Sequence, residues 1–278
     1  MTTIDGKTKV YAVIGHPVAH SFSPLIQNLA FAHHQLNAVY VALPVTDIGA
    51  AVTGMRALDL QGLSVTIPHK EQVMAHLDSC DQDAERIGAV NTIVRRDNRL
   101  IGYNTDGRGA LQALEAKTSV QGTAVTIIGA GGGARAVGYA LRAAGARLTI
   151  VNRGIQRGQR LASELKATFV PLNRLNGLDC RILINTTPVG MTPNADGIIV
   201  SPDWLNDDMV VMDLVYNPLQ TRLLTAAAAA GCQTVDGLGM LVYQGGIQFE
   251  LWTGKRAPLD QMMQTAYQSL QSRQQAGD

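Results

Sequence analysis

Between Thr123 and Arg153 the chain passes through an apolar strand (Ala124-Val125-Thr126-Ile127-Ile128), the turn Gly129-Ala130-Gly131-Gly132-Gly133-Ala134, an alanine-rich helix, and a second strand ending in Asn152-Arg153. Few segments constrain a fold more. A strand that feeds a glycine turn and then a helix N-terminus makes an anion site from bare backbone. Glycine lets the main chain approach a pyrophosphate, and the unpaired N–H groups of the first helical turn point at it. A lone G-x-G-x-x-A carries little weight. Here the strand before it and the helix and strand after it supply the context such a motif requires. A Rossmann-type doubly wound dinucleotide-binding domain is expected, with Gly129, Ala130, Gly131, Gly132, Gly133 and Ala134 against the phosphates.

The end of the second strand bears on which dinucleotide. A site for a free ribose 2′-hydroxyl usually closes that strand with Asp or Glu. This chain has Asn152, followed by Arg153, Arg157 and Arg160. A carboxylate there would repel a 2′-phosphate, whereas guanidinium groups chelate one. NADP(H) is the expected cofactor. NAD stays open, because the arginines can also be read as solvated charges on the next helix and Gly154 offers no hydroxyl to assist.

The length of 278 residues suits two domains, and 46% hydrophobic residues suit globular cores. A formal charge of +1 argues against nucleic acid or an anionic membrane as partner. Any positive field should be local, around the cofactor and an acidic small-molecule substrate. The three cysteines, Cys80, Cys180 and Cys232, are too far apart for a CxxC metal pair and odd in number. Met1 to Lys9 lacks the apolar core of a signal peptide, and no apolar run could span a bilayer. A cytoplasmic enzyme, monomer or homodimer, is expected.

Strand-like and helical runs alternate almost throughout. Val10–Ile14, Ala38–Leu43 and Gly62–Ile67 read as strands separated by helices over Pro24–Leu36 and Ile48–Leu58. That order implies an N-terminal, mainly parallel α/β domain. Val90–Arg95 and Arg99–Tyr103 flank Asp97-Asn98, a hairpin turn. Asp106–Ala116 reads as a helix leading to the second series, whose strands continue at Leu148–Val151, Ile182–Ile184, Val210–Leu214 and Thr234–Val235. Two helices, Met240–Trp252 and Pro258–Ser272, finish the chain ahead of a polar, frayed tail from Gln271.

Residues with chemical potential gather at strand-to-helix junctions of the first domain. In Ser21-Phe22-Ser23-Pro24, Ser23 suits the N-cap and Pro24 the first helical position. Ser21 is not needed for capping, so two hydroxyls at a positive helix end suggest a carboxylate site. Lys70 ends Val65-Thr66-Ile67-Pro68-His69-Lys70, at the sheet edge where open α/β folds place ligands. A lysine so placed can protonate a carbonyl oxygen while hydride reaches the carbon. Asp106, in Asn104-Thr105-Asp106-Gly107, is the candidate partner carboxylate, with helix capping as its competing role. His16 and His20 are four apart, but Pro17 and a loop setting speak against a helical metal pair, and no metal is expected.

These stretches, with Gly88-Ala89-Val90-Asn91-Thr92, Asn185-Thr186-Thr187-Pro188-Val189-Gly190-Met191, Asp213-Leu214-Val215-Tyr216-Asn217-Pro218 and Asp236-Gly237-Leu238-Gly239-Met240-Leu241-Val242-Tyr243-Gln244, resemble the shikimate dehydrogenase family over nearly the whole chain. The resemblance implies NADPH-dependent reduction of 3-dehydroshikimate to shikimate, in a cleft between two domains. A relative oxidising quinate or shikimate with NAD is the alternative, and a non-catalytic nucleotide sensor a remoter one. It implies a discontinuous substrate domain over 1–106 and 238–278, and an NADP domain over 107–237. Lys70 and Asp106 would be the proton-transfer pair, Ser21 and Ser23 would bind the carboxylate, and Thr66, Asn91, Tyr216 and Gln244 the ring hydroxyls. The glycine turn, Asn152, Arg153, Arg157, Thr186, Thr187, Pro188, Val189, Leu214, Gly237 and Met240 would hold the cofactor. Two departures stand out: Ser64 where the family usually has asparagine, and Gly154 where it commonly has threonine.

Overall fold

The computed structural model describes residues 4–276. The chain divides into two compact units, one formed by the segment up to Thr105 with the segment from Val242 onward, the other by Asp106–Leu241. The first unit begins with β1 (Lys9–Gly15), α1 (Ser23–His33), β2 (Ala38–Pro44), α2 (Ile48–Ala57) and β3 (Gly62–Val65). After a 3-10 turn it continues through β4 (Ser79–Cys80), α3 (Gln82–Ile87), β5 (Thr92–Arg96) and β6 (Arg99–Tyr103).

These strands form one sheet in the order β2-β1-β3-β5-β6-β4. β1 runs parallel to β2 and β3, and β4 parallel to β6, whereas β5 is antiparallel to both of its neighbours. The sheet is thus mainly parallel with a hairpin set into it. The hairpin turns on Asp97 (φ 48°) and Asn98 (φ 62°). Both lie in the left-handed region that a two-residue type I′ turn demands, and Asp and Asn tolerate it best among residues with a Cβ. Ala12, Ile14, Leu63, Val65, Ile93 and Leu100 of the sheet pack against Val52 and Met55 of α2 to form the core. Helix α1 stops at His33, three residues short of the expected end, with Gln35 in the left-handed conformation (φ 54°).

The second unit contains α4 (Asp106–Glu115), β7 (Ala124–Ile128), α5 (Gly132–Ala143), β8 (Arg147–Asn152), α6 (Ile155–Leu165) and β9 (Thr168–Pro171). It continues through β10 (Ile182–Asn185), β11 (Val210–Asp213), α7 (Arg222–Ala229) and β12 (Gln233–Val235). Its sheet order is β12-β11-β10-β7-β8-β9, with every pairing parallel. The chain winds outward from β7 through β8 to β9, then returns to start β10 on the other side of β7. The order in which strands are added therefore reverses between β7 and β10. A doubly wound sheet opens its ligand crevice at such a switch point. Helix α4 packs on α5 so closely that a Cβ on Gly107 would collide with the Ala136 carbonyl.

The chain ends with α8 (Gly237–Thr253) and α9 (Leu259–Ala276). Helix α8 starts three residues before the expected Met240, because Asp236 Oδ1 accepts the N–H groups of Leu238 and Gly239, both at 3.1 Å. From Val242 onward both helices belong to the first unit. Gln27 Nε2 donates to the Gly245 carbonyl at 2.8 Å, and Trp252 Nε1–H donates to the Ile93 carbonyl at 3.0 Å. The expected fraying from Gln271 does not occur through Ala276, where α9 continues; Gly277 and Asp278 lie outside the described residues. No helix among the described residues is long and apolar enough to cross a membrane.

Candidate active site

In the first unit the sheet register brings the candidate residues to one edge. Ser64 of β3 faces Thr92 of β5, and Thr92 faces Tyr103 of β6. Thr66 leaving β3, Asn91 entering β5 and Thr105 beyond β6 therefore share that edge. Asn91 is its hub. Its Oδ1 accepts from the Thr105 N–H at 2.9 Å and from the Thr92 hydroxyl at 2.7 Å. Its Nδ2 donates to Thr105 Oγ1 at 2.9 Å and to Gln244 Oε1 at 3.4 Å. Asn91 and Gln244 are buried, and Thr66 is half-buried.

Lys70 is half-buried, and its carbonyl accepts from Val90 N–H at 2.8 Å. The preceding His69 is buried and donates through Nε2–H to the Val45 carbonyl at 2.7 Å. Val90 adjoins Asn91, whose side chain holds Thr105, so one backbone hydrogen bond and the Asn91 amide lead from Lys70 to the residue just before Asp106. Asp106 is the first residue of α4 rather than a cap outside it. A carboxylate in the first turn is favoured by the exposed N–H groups there.

The two serines exchange the expected capping roles. Phe22, not Ser23, precedes α1, with helical backbone angles (φ −83°, ψ −9°) and no side-chain cap. Ser23 is already inside the helix, and its N–H donates to Ser21 Oγ at 3.2 Å. The helical conformation of Phe22 shifts the first turn back by one residue. Ser21 thus does the local hydrogen bonding.

In the second unit, register aligns Ile128, Asn185 and Asp213, the last residues of β7, β10 and β11. The loops that follow these strands, and the one after β8, all emerge at this edge. Gly129 has φ +121°, and a Cβ there would strike Thr186 Oγ1, which donates to the Ile128 carbonyl at 2.7 Å. Gly131 precedes α5 without a side-chain cap. Gly131 and Gly132 are exposed, and nothing lies within 4 Å of where their Cβ atoms would stand. The first-turn N–H groups of α5 thus open onto space that a pyrophosphate fits.

Asn152 is half-buried and its amide donates to the Gly154 carbonyl at 2.8 Å, while Arg153 and Arg157 are exposed. Arg160 is drawn away to Glu164, with 3.1 Å between Nε and Oε1. Arg153 and Ile155 line an open cavity of about 520 Å³ with Pro171, Leu172, Asn173 and Arg174. Arg174 and the apolar Ile155 were not expected. Both could have been found by recognising β9, since Asn152 pairs with Pro171 and the chain then turns back toward Arg153. Guanidinium groups beside an apolar wall suit an adenosine carrying a 2′-phosphate.

The loops after β10 and β11 are tied together by Asp213, which is fully buried. Its Oδ1 accepts from Asn185 Nδ2 at 2.9 Å and Val215 N–H at 3.0 Å, and its Oδ2 from the Thr221 hydroxyl at 2.7 Å. Thr187, Pro188 and Val189 follow Asn185, whose Oδ1 accepts the Thr187 N–H at 3.0 Å. Leu214 and Tyr216 are half-buried beyond β11, as is Met240 in the first turn of α8. A Cβ on Gly237 would collide with the Leu214 carbonyl.

Desolvation pushes the Asp213 carboxyl above the usual carboxylate range, against the pull of its three donors. A carboxyl raised in the folded state holds its proton more tightly there than in the unfolded chain. Its contribution to stability therefore falls as pH rises from the ordinary 3.8 through the raised value. Asp213→Asn removes that titration. As pH rises from 3.8 through the raised value, the difference in denaturation midpoint should move in the variant's favour. A difference independent of pH would contradict the assignment. Among the described residues no cluster of three or more His, Cys, Asp or Glu could hold a metal ion.

An uncapped glycine turn at a sheet switch point, with arginines in place of a carboxylate, defines a Rossmann-type dinucleotide-binding unit. Joined to an α/β unit that presents lysine, hydroxyl and amide groups at one edge, it defines the class of two-unit dinucleotide-dependent oxidoreductases. Comparison with known proteins narrows this. The model of the shikimate dehydrogenase substrate binding domain matches residues 13–93, that of shikimate/quinate 5-dehydrogenase residues 111–187, and that of the shikimate 5′-dehydrogenase C-terminal domain residues 237–267. The shikimate dehydrogenase (NADP(+)) of Methanopyrus kandleri is 46% identical, over 96% of this chain and 98% of its own. A crystal structure of shikimate dehydrogenase in complex with NADP+ is 43% identical with a TM-score of 0.93, covering 97% of this chain and 98% of that one. The Thermus thermophilus shikimate 5-dehydrogenase in complex with NADP(H) and shikimate is 38% identical with a TM-score of 0.88, covering 94% and 99%. The chain belongs to the shikimate dehydrogenase family.

Proposed function

We propose that this chain interconverts 3-dehydroshikimate and shikimate with NADPH and NADP+, a step toward aromatic amino acids. The observation that carries the reading is the edge of the first sheet, where buried Asn91, Thr105 and Gln244 interlock beside the Lys70 segment. Amides and hydroxyls whose partners are already defined are suited to reading the hydroxyl pattern of a polyol ring.

Ser21 and Ser23 bind the substrate carboxylate, near the N-terminal end of α1 where an anion is favoured. Thr66, Asn91, Tyr216 and Gln244 bind the ring hydroxyls. The backbone N–H groups after Gly131 take the pyrophosphate, Arg153, Arg157 and Arg174 the 2′-phosphate, and Thr186 to Val189, Leu214, Gly237 and Met240 flank the rest of the cofactor. When bound, the reduced nicotinamide supplies hydride to the ring carbonyl carbon. The Lys70 ammonium gives a proton to the carbonyl oxygen, completing the alcohol, and takes it back in the reverse direction. Asp106 orients that ammonium and keeps it charged until transfer. The substrate domain comprises the first unit and the NADP domain the second. The free thiols of Cys80, Cys180 and Cys232 suit a reducing cytosol.

The test is an initial-rate assay with shikimate and NADP+, following nicotinamide absorbance, on the parent and Asp106→Asn. The parent should turn over, and the variant should lose roughly a hundredfold in kcat with an unchanged denaturation midpoint. Loss of stability alone would leave Asp106 a helix-terminal residue. An inactive parent would refute the assignment.

A further inference from the structure

Beneath the edge that carries Asn91, buried polar side chains form a single directed chain. The Tyr40 hydroxyl donates to Ser64 Oγ at 2.6 Å, and the Ser64 hydroxyl donates to Gln248 Oε1 at 2.7 Å. Gln248 Nε2 donates to Thr92 Oγ1 at 3.0 Å, and the Thr92 hydroxyl donates to Asn91 Oδ1 at 2.7 Å. Tyr40, Ser64, Gln248, Thr92 and Asn91 are all buried.

A hydroxyl carries one proton, so each member that donates onward must accept from the member before it. The chain therefore has a polarity, and reversing one link would set donor against donor out of reach of water. That polarity reaches Asn91. Because Asn91 Oδ1 receives the Thr92 hydroxyl and the Thr105 N–H, its amide is turned so that Nδ2 faces Thr105 Oγ1 and Gln244 Oε1. Ser64 sits at the middle link. Its short side chain leaves room for the Tyr40 hydroxyl at 2.6 Å.

We propose that Ser64, with Tyr40 and Gln248, is a positioning residue that couples the Tyr40 hydroxyl to the amide of Asn91 at the ring-hydroxyl end of the substrate. The proposal rests on the shikimate reading above. None of the three needs to touch substrate. Ring recognition in this chain thus depends on a serine–tyrosine pair beneath the site.

Ser64→Ala cuts the chain with loss of one oxygen. KM for shikimate should rise roughly tenfold while KM for NADP+ stays within about twofold, a split that general loosening of the fold would not produce. Ser64→Thr retains a hydroxyl and should recover most of the loss. Tyr40→Phe should give the same shift, and the double variant little more than either single one, because both break one chain. Shikimate KM values within about twofold of the parent in both single variants, or equal losses for acid and cofactor, would overturn the coupling. So would failure of both to fold, which would make the chain purely structural. A parent that oxidises shikimate while the variants are unaltered sinks only the coupling; a parent without that activity sinks the functional reading and the coupling with it.

Discussion

Replacing Lys70 by alanine should lower kcat by roughly a hundred- to ten-thousandfold, with KM for shikimate changed only a few-fold. The expected split follows from where Lys70 is held. Its backbone carbonyl is bonded to Val90 N–H at 2.8 Å, and the neighbouring His69 is pinned to the Val45 carbonyl at 2.7 Å. Truncating the side chain leaves both anchors, so the loop should keep its shape and its neighbours their hold on substrate. Lys70→Arg separates charge from proton transfer. Arginine keeps the cation but does not release its proton at ordinary pH, so it should rescue little. Near-normal turnover in Lys70→Ala would remove the residue from the chemistry. Full activity in Lys70→Arg would reduce its role to electrostatic attraction.

Arg153→Ala combined with Arg174→Ala should raise KM for NADP(H) roughly a hundredfold and leave KM for NAD(H) nearly unchanged. The two guanidinium groups line one cavity, and no carboxylate closes β8 to favour a free 2′-hydroxyl. Compensation would fall to the exposed Arg157. Arg160 is committed to Glu164, the Asn152 amide turns inward to the Gly154 carbonyl, and Gly154 has no hydroxyl to offer. Each single variant should fall short of the double, with Arg174 supplying the hold that the missing hydroxyl does not. Equal losses with both cofactors would mean that the arginines support the loop rather than select the phosphate.

Much of the second unit was legible because parallel strands buried on both faces read as continuous apolar runs. Ala124–Ile128, Leu148–Val151 and Ile182–Ile184 needed no periodicity to be seen. Strand β9 was missed since Thr168-Phe169-Val170-Pro171 is short and lies at the sheet edge, and Arg174 was missed with it. In the first unit, β4 and α3 are only 2 and 6 residues long, too short to show a period. The turn at Asp97-Asn98 was legible because its chemistry is local. The roles of Ser21 and Ser23 were not, because they depend on the backbone angles of Phe22, which composition leaves open. Thr105 reads as part of a helix-start motif, and only strand register brings it to Asn91. Ser64 and Gln248 are 184 positions apart, and no local pattern could join them.

The most direct test of the central claim is kcat/KM of the parent enzyme with shikimate and with quinate, each with NADP+ and with NAD+. Hydroxyl and amide groups set for one ring, together with guanidinium groups set for one phosphate, predict that shikimate with NADP+ exceeds each other combination by at least roughly tenfold. Equal or greater efficiency with quinate and NAD+ would contradict both the assigned substrate and the arginine clamp.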